Sequence, residues 1–135
     1  MRTLRWGWIL LAAFLGELVG IVVLMGLRLL SGYGPVSLAP LSSLGTTAFL
    51  LELAVVMAIF GWWVAARKAG GQRVLHGLLV GVAAVLIYEI AAFGQPVPRD
   101  STYFAAHLLK IGGGALGGWL AARQRSRAAT AGAVA

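Results

Sequence analysis

The stretch Trp6–Leu27, WGWILLAAFLGELVGIVVLMGL, decides the fold. It lacks the charged face that a helix in water needs. At about 1.5 Å of rise per residue it is long enough to cross the ~30 Å hydrocarbon core of a membrane. Arg2 and Arg5 precede it as they would in a secretory signal, but the run exceeds a signal's apolar region and no small-residue cleavage motif ends it. It therefore reads as a retained first helix, its span closing by about Leu29.

Three further windows follow, Leu44–Ala66, Val74–Phe93 and Thr102–Ala122. The separators carry turn chemistry: Ser31-Gly32-Tyr33-Gly34-Pro35 with Pro40, then Gly70-Gly71, then Gly94-Gln95-Pro96-Val97-Pro98. None of the windows alternates as a barrel strand would. The expected fold is all-α: an integral membrane four-helix bundle running up-down-up-down, with spans of about 6–29, 44–66, 74–93 and 102–122. Residues 1–127 form one transmembrane domain, and 128–135 read as a disordered cytoplasmic tail with too little to bury.

Composition agrees. Of the 135 residues 60% are hydrophobic and only 11% charged, against the roughly 25% charge with which a soluble domain coats its surface. The net charge of +7 would suggest nucleic acid as a partner of a soluble protein. Here the basic residues stand at the ends of apolar runs, where anionic lipid headgroups account for them and no nucleic acid is expected. There is no cysteine, which excludes disulfides, thiolate metal sites and thiol catalysis.

Orientation follows from the basic flanks. Arg2, Arg5, Arg67, Lys68, Arg73, Arg123, Arg125 and Arg127 fall on one side, and only Arg28 and Arg99 on the other. The richer side is expected to be the cytoplasm of a bacterium, holding both termini of a multi-pass inner-membrane protein. All five tryptophans, Trp6, Trp8, Trp62, Trp63 and Trp119, lie near that side, as interfacial tryptophans do. An internal repeat of two hairpins is also readable. Gly61-Trp62-Trp63-Val64-Ala65-Ala66-Arg67 and Gly117-Gly118-Trp119-Leu120-Ala121-Ala122-Arg123 agree at five of seven positions, and Pro35-Val36 matches Pro96-Val97.

Helices associate in lipid through small residues that let backbones approach. Gly16 and Gly20, Gly77 and Gly81, and the cluster Gly114, Gly117 and Gly118 mark such faces, with Ala54 and Ala58 a fainter signal. They suit an intramolecular bundle, and the same residues would serve a homodimer seam or a membrane partner subunit.

Each span is interrupted by an ionisable residue: Glu17, Glu52, Glu89 and Lys110, with His107 one turn before Lys110. A charge at the bilayer centre costs at least ~2.5–3.5 kcal/mol, so such residues face a partner or a cavity. Counting from the nearest basic residue places all five in one slab about 6 Å thick. His76, close to Arg73, falls at the interface and outside this ring. Similar depth and the repeat predict a Glu52–Lys110 pair, leaving Glu17 free to exchange a proton. Glu89, near its span's end, is expected at the outer interface or beside Arg28.

Two functions fit. The first is an accessory or structural membrane component without chemistry, since no catalytic or nucleotide-binding motif appears and neither cofactor nor metal is expected. The second is a small proton-coupled transporter of a cationic or polar solute. The run Gly16-Glu17-Leu18-Val19-Gly20 resembles the first helix of the small multidrug resistance transporters. That resemblance implies four helices and a central glutamate, here Glu17, that binds substrate and proton in turn. The later helices depart from that family's tryptophan and tyrosine pattern. An enzyme is not expected: His107 and Glu89 fall short of the ligands a zinc site needs, and Ser42, Ser43, Thr46 and Thr47 suit the start of a helix.

Overall fold

The computed structural model describes residues 4–34, 41–68 and 71–132. Arg2, Pro35-Val36, Pro40, Gly70 and residues 133–135 lie outside them. The described residues form four helices and no strand: α1 (Trp6–Leu30), α2 (Ser43–Lys68), α3 (Arg73–Ala91) and α4 (Ser101–Gly132).

Local chemistry sets the helix ends. After α1 the Tyr33 N–H donates to the Arg28 carbonyl at 2.9 Å while Gly32 takes φ 77°, a left-handed closure that suits glycine. The Ser42 hydroxyl accepts the Gly45 N–H at 3.1 Å and begins α2. Asp100 does the same for α4, its Oδ1 accepting the Tyr103 N–H at 3.0 Å. At its other end α4 runs through Gly132, so residues 128–132 are helical where the sequence reading expects a disordered tail. The alanines there extend a helix already nucleated, which needs no new nucleus and suits the best helix former.

Helices α1, α2 and α3 are long and apolar enough to cross a membrane. The longest helix, α4 with 32 residues, is diluted in apolar content by its glycines, His107 and Lys110. Large apolar side chains nonetheless face outward on all four helices, among them Phe14, Val22, Val55, Leu86, Ile90 and Leu108. Water does not tolerate so wide an apolar surface, and lipid does. This is a membrane protein built as an all-α bundle.

The interior is filled by small residues. Gly113 and Gly117 of α4 lie against the backbone of Ala54 and Ala58 of α2, where a methyl group at Gly117 would come within 2.6 Å of the Trp62 nitrogen. On its other side α4 meets α3. A methyl group at Gly118 would lie 2.6 Å from the Arg73 carbonyl oxygen, and Gly77 and Gly81 abut Gly114 and the Lys110–Ile111 backbone. Gly61 also packs on Gly114. On α1, Gly16 receives the Met57 side chain and Gly20 that of Leu53. The contact order makes α2 and α4 parallel and α3 antiparallel to both.

Ile9, Ala12, Ala13, Met57, Val64, Val80, Ala83 and Ala84 form a buried apolar core in the half near Arg5, Arg67, Arg73 and Arg123, here called the basic end. Helices α2 and α3 touch each other and both remaining helices, whereas α1 and α4 do not pack together. These two therefore stand on a diagonal.

Candidate functional site

The ionisable residues gather in the half of the bundle away from the basic end, in two adjoining groups. Lys110 is the centre of the first. Its backbone is pressed against Gly81 of α3, which directs the side chain past the Tyr88 ring, 4.7 Å from Nζ to the ring centre. The ammonium ends 2.7 Å from Oε1 and 2.9 Å from Oε2 of Glu17. Lys110 is buried and Glu17 nearly so, with side chains 4% and 11% exposed.

This overturns the expected pairing. Glu17 holds the fixed cation, and Glu52 has no hydrogen-bond partner for either carboxyl oxygen, though both are buried. Residue counting puts the two acids at similar depth and so does not choose between them. The direction in which Lys110 leaves its helix selects between them, and that direction is set by the α3–α4 seam. Gly20 lies beside Glu52 and Leu53, a methyl group there falling 4.0 Å from the Glu52 Oε2. Glu52 stays within electrostatic reach of both Glu17 and Lys110.

Glu89, His107 and Tyr103 make the second group. His107 donates from Nε2 to Oε1 of Glu89 at 2.8 Å, and the Tyr103 hydroxyl donates to the same oxygen. Glu89 thus turns toward α4, and it remains 36% exposed against 15% for His107. Tyr88 joins the groups, its ring 5.4 Å from that of His107 on one side and under Lys110 on the other. Sequence reading gives neither Tyr88 nor Tyr103 a role, although a tyrosine next to a glutamate within an apolar span is a signal for the first. His76 is buried against its neighbours in the first turn of α3, with Nδ1 donating to the Gln72 carbonyl at 2.7 Å, and it stands apart from the ring.

A cavity of about 390 Å³ opens at the end opposite the basic end, beside Arg28 and Asp100, and reaches inward past Thr46 and Tyr103 to Tyr88, His107 and Lys110. A second cleft of about 350 Å³ lies between α1 and α3 and touches Glu17. Toward the basic end the bundle is closed by the apolar core and the glycine seams. Among the described residues no three His, Asp or Glu side chains converge to hold a metal ion. The groups that do meet can form ion pairs and exchange protons. Comparison with family models, with curated proteins and with solved structures finds no match.

Proposed function

We propose that the chain is a small accessory or structural protein of a bacterial inner membrane, crossing it four times with both termini in the cytoplasm. The observation that carries this reading is the Lys110–Glu17 pair, buried and spanning the two helices that do not otherwise meet. A buried pair contributes little net stability but specifies arrangement. Its use here is to fix α4 against α1 while glycine seams close the basic half. The cytoplasmic placement rests on Arg5, Arg67, Arg73, Arg123, Arg125 and Arg127 gathering at one end, where they would meet anionic headgroups. As an accessory component the protein would perform no catalysis and hold no cofactor, and would act on a partner subunit or a second copy through its lipid-facing helices.

The cavity that reaches Lys110 and His107 favours a second reading, a proton-coupled transporter of a cationic or polar solute using a membrane glutamate. One experiment separates the two. Purified protein in liposomes carrying an internal pH-sensitive dye is challenged with a panel of cationic and polar solutes. The structural reading expects no solute-dependent proton flux, and a flux abolished by Glu52→Gln or Glu17→Gln would replace it with the second.

A further inference from the structure

The trio Glu17, Glu52 and Lys110 holds two carboxyls and one ammonium in one buried place. Its charges balance only when one carboxyl carries a proton. Lys110 grips Glu17, so the carboxyl left to carry it is Glu52, whose two oxygens meet no donor. A metal cation would need several more oxygen ligands, and the neighbours of the Glu52 carboxyl include Gly20 and the adjacent Leu53. A proton needs none.

We propose that Glu52 is a proton-exchange site for which Lys110 is the movable counter-ion. In the first arrangement Lys110 pairs with Glu17, as observed, and Glu52 carries the proton. In the alternative, Glu52 has lost its proton, Lys110 has swung to it, and Glu17 has taken up one proton. Both arrangements carry the same net charge, so passage between them moves one proton from acid to acid and no net charge into lipid.

The surroundings support the exchange. Lys110 has four rotatable methylenes and lies over Tyr88, which guides the ammonium without holding it by a hydrogen bond. The cavity that touches Lys110 and Leu53 offers water a path from the end away from the basic residues. Among the described residues, the other charged or titratable groups around the trio and its cavity are Arg28 on α1, Tyr88 and Glu89 on α3, Asp100 just before α4, and Tyr103 and His107 on α4. Of these, Glu89, Tyr103 and His107 are engaged with one another.

The inference rests on the second, transport reading and replaces the fixed Lys110–Glu17 pair of the first with a movable one; labelling tests it without measuring transport, so the two can fail separately. The probe is dicyclohexylcarbodiimide, an apolar reagent that takes up a carboxylic acid. The acid oxygen bonds to the central carbon, the proton passes to nitrogen, and the adduct rearranges to a stable acylurea with nothing lost. Attack by Lys110 on the adduct would instead leave an amide crosslink and release dicyclohexylurea, marking the same activated carboxyl. Protein in native-lipid nanodiscs is treated at stepped pH and the modified residue is mapped by peptide mass spectrometry.

The expected result is modification at Glu52 ahead of Glu17, declining as pH rises. In Glu17→Gln, Lys110 has only Glu52 to pair with, and modification of Glu52 should fall to background. Preference for Glu17 in the unaltered protein would overturn the proposal without any variant. So would undiminished labelling of Glu52 in Glu17→Gln that elutes as a folded species. Should that variant fail to fold, the site preference in the unaltered protein decides alone.

Discussion

Lys110 reaches Glu17 across the diagonal of the bundle, joining two helices that make no packing contact of their own. A single ion pair thus supplies the link that small residues supply along the other seams. It also crosses over the Tyr88 ring, so three helices converge on one ammonium.

The pair should behave as a unit. Lys110→Met leaves the Glu17 carboxylate buried without its cation, whereas Glu17→Gln breaks the link across the diagonal but leaves Lys110 the Glu52 carboxyl to turn to. Lys110→Met should cost about 3–5 kcal/mol, the range for breaking a buried pair, and Glu17→Gln less. Combining them removes both charges, and the double variant should melt above at least the worse single one in detergent. Strictly additive losses would mean that the two side chains do not meet.

The glycines of α4 differ in what they face, and substitution should reveal it. Gly117 lies against the α2 backbone, which has no flexible side chain to move aside, so Gly117→Leu should cost about 3 kcal/mol or more, the upper range for overpacking. Gly112 has nothing within 4 Å of its missing methyl group. Gly112→Ala should be neutral or stabilise by about 0.5–1 kcal/mol through helix propensity. Equal melting losses for the two variants would contradict the α2–α4 seam.

These contrasts explain how far the sequence could be read. Depth is legible because it needs only a residue count, and the groups placed at like depth do meet: Lys110 with Glu17, His107 with Glu89. Partner choice needs the rotation of each helix and its neighbours, which a count does not carry. The repeat set residues 52 and 110 at matching places, yet the α3–α4 seam turns Lys110 toward α1. Glycines announce a seam by identity. Ala54 and Ala58, which form the other wall of the Gly113 and Gly117 seam, did so only faintly, since alanine is common in any apolar span.

The second group should matter less to stability than the first. Glu89 is partly open to its surroundings, and its partners Tyr103 and His107 sit on a single turn of α4. Tyr103→Phe and Glu89→Gln should each lower the melting temperature by clearly less than Lys110→Met does. A loss as large as that of Lys110→Met would show that α3 and α4 depend on this contact as α1 and α4 depend on theirs.

Whether α4 crosses the membrane is the sharpest test of the topology, because its apolar content is diluted where the other three helices are plainly apolar. Its length is sufficient, since 32 residues span about 48 Å at 1.5 Å each. Its polar side chains are also met inside the bundle, Lys110 by Glu17 and His107 by Glu89, so the helix presents Phe104, Leu108, Leu116 and Leu120 outward. The chain contains no cysteine, so single cysteines can be placed without background. Gln95→Cys lies in the loop before α4 and Arg127→Cys beyond the last apolar turn, and neither position belongs to the buried cluster. In intact spheroplasts a membrane-impermeant maleimide should label Cys at 95 and spare Cys at 127, and inverted vesicles should give the reverse. If both positions react from the same side, α4 does not cross, and the chain has three spans with its ends on opposite faces.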